Sequence, residues 1–236
     1  MPSAESRASL LLLPGLLCDA RLWRAQVEGL DDVARCEVPE LTDDDSVAAM
    51  ARRVLASAPP RFALAALSMG GYVAFEILRQ APQRVTRLML LATSAGVDSP
   101  QRAALRRASL TLAERGRFAG VTRKLLPQLV APPHVEGEVG EVVMDMAQRV
   151  GRDAFLRQQR AILTRPDSRP LLPTLALPTV VGVGDDDQMT PPVESSRLHE
   201  AIAGSRLHVF AACGHLPPLE KPHETTQLMR HWLQSQ

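Results

Sequence analysis

A serine stands at an abrupt change of sequence pattern, and this change constrains the fold more than any other feature of the chain. An apolar run at residues 62–67 ends at Ser68, and a helical pattern follows almost at once at residues 72–78. A strand that turns so sharply into a helix holds the serine in an unfavourable backbone conformation, which costs about 1–3 kcal/mol. Such strain usually persists where chemistry needs it, and the turn projects the hydroxyl above the sheet edge. The pattern therefore indicates a nucleophilic serine.

Short apolar runs alternate with longer helical patterns, which predicts a mostly parallel sheet with crossover helices. Most runs are continuously apolar, as expected for strands covered on both faces. The predicted strands are residues 9–13, 34–38, 62–67, 87–92, 179–183 and 206–210. The predicted helices outside the region described next are residues 23–30, 47–57, 71–80, 191–203 and 223–234. The expected fold class is thus α/β, with about six strands.

One region, residues 99–169, contains no strand-like run. Its helical patterns begin at residue 99 and continue at roughly 118–129, 135–150 and 152–164. About 70 residues are too many for a simple connection between neighbouring strands. We therefore expect a helical cap at 99–169, inserted after the fourth parallel strand into a core formed by residues 1–98 and 170–236.

The predicted cap is basic, with thirteen Arg and Lys against seven Asp and Glu. Solvated helix faces explain this excess in most proteins. The alternative is a basic lid that attracts an anionic substrate or an acidic carrier protein.

Composition argues against several functional classes. The net charge of +1 gives the whole molecule no nucleic-acid or membrane signature, and 3% aromatic residues are too few for base stacking. No apolar run reaches the roughly 18 residues of a membrane helix. Three irregularly spaced cysteines (Cys18, Cys36 and Cys213) predict reduced thiols and a cytoplasmic location. No metal-ligand spacing or nucleotide-binding motif occurs, so we expect neither a metal nor a cofactor.

A serine nucleophile needs a base to take its proton and an acid to orient that base. In a parallel sheet these partners come from loops at the carboxyl ends of strands. Three consecutive aspartates, 185–187, follow the strand at 179–183, and His215 follows the strand at 206–210. The chain order is therefore Ser, Asp, His, with each residue just past a strand.

These segments together resemble those of α/β-hydrolase-fold serine hydrolases, the broad family that includes carboxylesterases, enol-lactonases and acyl-carrier methyl esterases. The resemblance covers essentially the whole chain. It rests on the nucleophile elbow at 66–70, where Ala66 replaces a glycine, on an acid loop beginning at Gly184, and on Gly214-His215 followed by Glu220 and Pro222.

The resemblance implies Ser68 as nucleophile, His215 as base and Asp187 as acid. In the family the acid lies three residues after the glycine of its loop, which selects Asp187 and leaves Asp186 as the alternative. A dehalogenase is disfavoured, because the dehalogenases that resemble this chain carry an aspartate at the position of Ser68.

The resemblance also implies an oxyanion hole formed by the backbone N–H groups of Leu16 and Met69. Pro14 replaces the histidine that the family usually has in the turn of Leu16. Leu17, Met189 and Leu216 are expected to line an acyl pocket, although core packing would explain them equally well.

The expected function is a cofactor-independent serine hydrolase that cleaves a small ester, thioester or lactone through an acyl-serine. Two other readings stay open. The same triad could serve carbon–carbon bond hydrolysis, perhydrolysis or lyase chemistry, or the protein could be a slow-hydrolysing module that senses a ligand. The expected partner is a small acyl substrate, with an acidic carrier protein as the alternative noted above. The sequence sets neither the substrate's identity nor the oligomeric state.

Overall fold

A computed structural model describes residues 7–235 of the chain. Its strands are β1 (Ala8–Leu13), β2 (Ala34–Glu37), β3 (Phe62–Leu67), β4 (Val85–Leu91), β5 (Thr179–Gly184) and β6 (Arg206–Phe210). They form one six-stranded sheet in the order β2-β1-β3-β4-β5-β6, and every neighbouring pair is parallel. The predicted fold class is confirmed, and each strand ends within two residues of its expected bounds.

Helices flank this sheet. They are α1 (Arg24–Gly29), α2 (Val47–Ser57), α3 (Met69–Gln80), α4 (Pro100–Glu114), α5 (Glu138–Leu163), α6 (Pro192–Ala201), α7 (Pro217–Glu220) and α8 (Pro222–Gln234). Serines begin two of them: Ser46 Oγ accepts a hydrogen bond from Ala49 N–H, and Ser99 Oγ accepts one from Arg102 N–H, both at 3.3 Å. Short hydroxyl side chains stabilise helix starts in this way.

The continuous apolar runs divide their side chains between the two faces of the sheet, because successive residues of a strand point in opposite directions. Leu11 and Leu64 pack on the face covered by α2, α3 and α6. Their neighbours Leu10 and Ala63 pack on the other face, against the core of α1 and α8. Both faces are therefore dry, as the runs predicted.

Between β4 and β5, the helix expected at 118–129 is wrong. The structure has only a single 3-10 turn there, at Leu126–Gln128. Gly116 and Gly120 have φ values of 80° and 63°, the left-handed region that ends helices. Pro127 further removes a donor that a continuing helix would need.

The helical patterns at 135–150 and 152–164 form one element, α5, with a sharp kink at Gly151, where φ is 78°. The kink falls at the boundary between the two expected helices. Leu105 and Leu112 of α4 stay exposed, whereas Leu110 is buried. This helix therefore packs through a narrower apolar stripe than its leucines suggest.

Asp98 and Arg165 join the two ends of this helical segment. Arg165 Nη2 donates to Asp98 Oδ1 at 2.9 Å and to Gly96 O at 3.0 Å, and its guanidinium lies 4.2 Å from the centre of the Tyr72 ring. Burial alone would raise the pKa of Asp98, but the hydrogen bond from Arg165 and the charges of Arg106 and Arg165 outweigh it, so the pKa lies below its ordinary value. A buried ion pair thus holds the end of the segment against the stretch of chain that follows β4. Within residues 7–235, no helix has the length and apolarity needed to cross a membrane.

Candidate active site

Ser68 occupies the turn between β3 and α3 with φ 54° and ψ −114°. Its N–H donates to Leu91 O at 3.0 Å, and its carbonyl accepts from Thr93 Oγ1 at 2.7 Å. Two hydrogen bonds to the end of β4 therefore hold the strained turn. Gly70 is required by space, because a Cβ there would lie 2.6 Å from Leu13 O. This close approach packs the start of α3 directly onto the end of β1.

A continuous hydrogen-bonded chain links the three residues that sequence reasoning selected. His215 Nε2 lies 2.9 Å from Ser68 Oγ. His215 Nδ1 lies 2.9 Å and 3.0 Å from the two carboxylate oxygens of Asp187. Asp187 and His215 are both buried. A histidine held so by a carboxylate carries its proton on Nδ1 and presents the Nε2 lone pair to the serine hydroxyl.

The neighbouring aspartates have different surroundings. Asp187 Oδ1 also accepts from the N–H groups of Met189 and Thr190, each at 2.8 Å, which fixes the carboxylate toward the histidine. Asp186 is exposed, and its carboxylate accepts from Gln188 Nε2 at 3.0 Å. The structure therefore brings Asp187, and not the alternative Asp186, to His215.

Glu220 fixes the loop that carries His215. Its buried carboxylate accepts from the N–H of Gly214 at 2.9 Å, the N–H of Leu216 at 2.9 Å and the N–H of Ala131 at 2.7 Å. The first two groups flank His215 in the chain. Three hydrogen bonds to a charged acceptor are stronger than neutral ones, so Glu220 restricts the position of the imidazole.

The turn after β1 lies directly against the serine. A Cβ built on Gly15 would be 3.5 Å from Ser68 Cβ. Cys18 N–H closes the turn by donating to Gly15 O at 3.2 Å. Leu17 has a φ of 59°, in the left-handed region of backbone conformation. Residues other than glycine adopt this region at a cost of about 1–2 kcal/mol. Leu16, the expected oxyanion donor, lies between Gly15 and this strained residue.

A glutamine of α5 holds the strained turn. Gln158 Oε1 accepts from Leu17 N–H at 3.1 Å, and its Nε2 donates to Leu41 O at 2.9 Å. The side chain is only 1% exposed. The second expected donor, Met69, is the first residue of α3, and the first N–H groups of a helix have no partner inside the helix.

A cavity of about 390 Å³ opens beside Ser68 and His215. This volume is typical of small-molecule sites and corresponds to that of roughly a dozen water molecules. Its wall includes every expected pocket and oxyanion residue, namely Leu16, Leu17, Met69, Met189 and Leu216. The helical segment after β4 contributes a further apolar set, Val121, Leu125, Leu129, Val143 and Phe155. Ser68 therefore faces a mostly apolar space large enough for a small acyl chain.

The cysteines do not compete with the serine as nucleophiles. All three are free thiols. Cys18 lines the cavity, but burial raises its pKa to about 12, so the thiol is neutral at pH 7. Burial likewise raises the pKa of Cys213. In the part of the chain that the structure describes, no three His, Cys, Asp or Glu side chains are grouped so that they could hold a metal ion.

Sequence reasoning missed two structural roles. The sequence presents Glu220 only as part of the motif around His215 and gives no reason to select Gln158. The signal for Glu220 was its position shortly after His215. No signal marked Gln158, because it partners Leu17 across 141 residues of sequence.

The chain resembles known hydrolases along most of its length. The family model described as the alpha/beta hydrolase fold matches residues 39–222. A pimeloyl-[acyl-carrier protein] methyl ester esterase of Neisseria meningitidis is 30% identical over 173 residues, 71% of this chain and 67% of that protein. A thermophilic esterase from Thermogutta terrifontis, solved with malate bound, is 30% identical with a TM-score of 0.86, covering 97% of this chain and 90% of its own. The enol-lactonase from Burkholderia xenovorans shares the fold with a TM-score of 0.85 at 21% identity, covering 99% of this chain and 94% of its own.

Proposed function

This chain belongs to the α/β-hydrolase family, and from that premise we propose that it is a cofactor-independent serine hydrolase of small esters, thioesters or lactones. The observation that carries the proposal is the unbroken hydrogen-bonded chain from Ser68 Oγ through His215 to Asp187. It lies at the wall of an apolar cavity. A nucleophile, a base and an orienting acid in this order suit acyl transfer.

In the first half of the reaction, Ser68 Oγ attacks the substrate carbonyl while His215 Nε2 takes the hydroxyl proton. Asp187 stays ionised and stabilises the imidazolium that forms. His215 then gives this proton to the leaving oxygen or sulfur, and an acyl-serine remains. In the second half, His215 takes a proton from water, hydroxide adds to the acyl carbonyl, and Ser68 regains its proton as the acid leaves.

The backbone N–H groups of Leu16 and Met69 are the proposed oxyanion donors. The support is their position: the turn of Leu16 packs on Ser68, and Met69 begins the helix that follows the serine. Each such donor contributes on the order of 3 kcal/mol to the barrier reduction. Strain at Leu17 and its bond to Gln158 keep this turn in one conformation.

We assign residues 99–169 the role of a cap that shapes the acyl pocket. Seven apolar residues of this segment line the cavity: Leu105, Val121, Leu125, Leu129, Val143, Phe155 and Ile162. An acyl substrate linked to an acidic carrier protein is the finer candidate, because the segment has thirteen Arg and Lys against seven Asp and Glu. The similarity to pimeloyl-[acyl-carrier protein] methyl ester esterases points in the same direction.

The test is turnover of p-nitrophenyl butyrate by three variants. Ser68→Ala should lower kcat/KM by about 10⁴-fold or more. Asp187→Asn should lower it by about 10³–10⁴-fold, because the histidine loses its tautomer. Asp186→Asn is the matched control and should leave turnover at the wild-type level. Undiminished turnover by Ser68→Ala, or an equal loss in both aspartate variants, would contradict the proposal.

A further inference from the structure

The inner face of α4 carries charge where a helix over an apolar cavity would carry apolar side chains. Arg102, Leu105, Arg106 and Ser109 all line the cavity. Their spacing of three and four residues places them on one face of the helix. Two guanidinium groups therefore lie at a cavity whose remaining wall is mostly apolar.

The charge around Arg106 is not balanced within the protein. Arg106 Nε donates to Asp98 Oδ2 at 2.6 Å, and Asp98 Oδ1 accepts from Arg165 Nη2 at 2.9 Å. The side chains of Arg106, Asp98 and Arg165 are only 15%, 5% and 4% exposed. One carboxylate thus serves two nearly buried guanidinium groups, and no other ion pair to either arginine occurs within residues 7–235. An excess buried cation is costly unless an anion neutralises it.

The groups beside Arg106 also present donors to the cavity. Gln159 is 5% exposed and lines the cavity, and its Oε1 accepts from Arg106 Nη1 at 3.0 Å. Its Nε2 therefore faces away from Arg106, and it meets no acceptor among the described residues. Arg102 Nη2 donates to Met189 O at 3.0 Å, and Arg102 forms no ion pair in the described chain. A cluster of guanidinium and amide groups with donors to spare suits an anion.

We propose that Arg102, Arg106 and Gln159 form a subsite for a carboxylate carried by the substrate. The inference rests on the proposed hydrolase function and names its substrate class: esters that bear a second, ionised carboxyl group. Planar guanidinium groups bind carboxylates with directed, charge-assisted hydrogen bonds. The carboxylate belongs either to the acyl chain or to the leaving alcohol, and the subsite has the same chemistry in both cases.

Two pairs of esters test the subsite and locate the carboxylate. The acyl pair is mono-p-nitrophenyl adipate and its neutral methyl ester. The alcohol pair is the butyrate ester of 4-hydroxybenzoate and that of methyl 4-hydroxybenzoate. In one pair the wild-type protein should prefer the charged ester by about tenfold or more in kcat/KM, because a site built for hydrogen bonding rejects the analogue that lacks the group. Added salt should reduce this preference.

The variants Arg102→Gln and Arg106→Gln should bring that preference to about one, mainly through KM. Arg107→Gln is the matched control, since Arg107 is exposed on the same helix and does not line the cavity. It should keep the wild-type preference. Arg102→Gln alone decides the question if loss of Arg106 prevents folding. Equal kcat/KM for charged and neutral esters in both pairs, or the same loss in Arg107→Gln, would overturn the inference.

Binding to the Ser68→Ala variant separates this inference from the hydrolase proposal. If the carboxylate lies on the acyl chain, monomethyl adipate should bind by calorimetry about tenfold more tightly than dimethyl adipate; if it lies on the alcohol, the butyrate ester of 4-hydroxybenzoate should bind about tenfold more tightly than that of methyl 4-hydroxybenzoate. In either case Arg106→Gln in the same background should abolish the difference. If the wild-type protein hydrolyses none of the four esters but this difference in binding appears, the hydrolase proposal fails and the subsite stands. If the esters are hydrolysed but no difference appears in any arm, the subsite fails and the hydrolase proposal stands.

Discussion

Replacing Gln158 by leucine should impair catalysis from a position that does not touch the reacting atoms. The substitution keeps the side-chain volume similar and removes both hydrogen bonds, the one from Leu17 N–H at 3.1 Å and the one to Leu41 O at 2.9 Å. Leu17 is held in the left-handed region by this contact. Without it, the turn that carries the proposed donor Leu16 can relax away from the serine.

The structure sets the size of the expected effects. Two buried backbone groups lose their partners, and each costs about 1–3 kcal/mol of folding stability. The left-handed conformation of Leu17 costs about 1–2 kcal/mol, which then favours relaxation of the turn. Removing an oxyanion donor altogether costs about 10²–10³-fold in kcat. A displaced donor keeps part of its effect, so we expect kcat to fall about 10- to 100-fold while KM changes little.

The assay is steady-state hydrolysis of p-nitrophenyl butyrate, with urea unfolding measured in parallel. Arg84→Met is the control for stability, because Arg84 donates to the carbonyls of Leu55, Ala58 and Pro59 at 2.9 Å, 2.7 Å and 2.7 Å. These bonds lie at the start of β4, at the opposite end of the sheet from Ser68. The control should lose stability and keep kcat. The reasoning is refuted if Gln158→Leu keeps the wild-type kcat, or if the control loses kcat to the same extent.

Three further predictions concern single groups. Glu220→Gln should lower kcat about 10²-fold through misplacement of His215, and unchanged kcat would contradict the role of its three hydrogen bonds. Asp98→Asn should lower the free energy of unfolding at pH 7 by about 3 kcal/mol, as measured by urea unfolding. Because the pKa of Asp98 is lowered in the fold, the stability that its carboxylate contributes is present above the ordinary pKa of 3.8 and is lost progressively as the pH falls below that value. A stability difference between wild type and variant that stays unchanged at pH 3 would be inconsistent with the pairing. Cys18, with its pKa raised to about 12, should resist iodoacetamide at pH 8 in the native protein and react after unfolding, and rapid native labelling would count against its burial.

The sequence could predict the sheet and the position of the triad because both follow from local patterns and one geometric rule. Apolar runs define strands, and the carboxyl ends of parallel strands share one edge. Ser68, the aspartates at 185–187 and His215 each follow such a strand, so the strand pattern alone predicts that they lie near one another, whereas the choice of Asp187 over Asp186 comes from the acid-loop spacing of the family that the chain resembles. The helix expected at 118–129 failed because Gly116 and Gly120 adopt left-handed backbone conformations and Pro127 interrupts the pattern.

The residues that support the site were harder to predict for a physical reason. Gln158 and Gln159 are consecutive polar residues in a helical pattern, where solvent exposure is the ordinary expectation. Both are buried, one against the turn after β1 and the other against Arg106. Their partners are distant in sequence, so only the packing of α5 across the end of the sheet reveals them.

The helical segment between β4 and β5 takes part in the geometry of the site at two separate points, and this restricts how substrate can enter. Gln158 of α5 holds the turn of Leu16, while His215 N–H donates to Leu129 O at 2.9 Å and Glu220 binds Ala131 N–H. If the whole segment swung away from the sheet, all three hydrogen bonds would break and the site would lose its arrangement. The cavity face of α4 holds neither the turn of Leu16 nor the loop of His215; its Arg102 donates to Met189 O at 3.0 Å, and its Leu105 is 69% exposed. We therefore expect substrate to enter beneath α4, past the arginines of its inner face, while α5 and the loop of Leu129 stay in place.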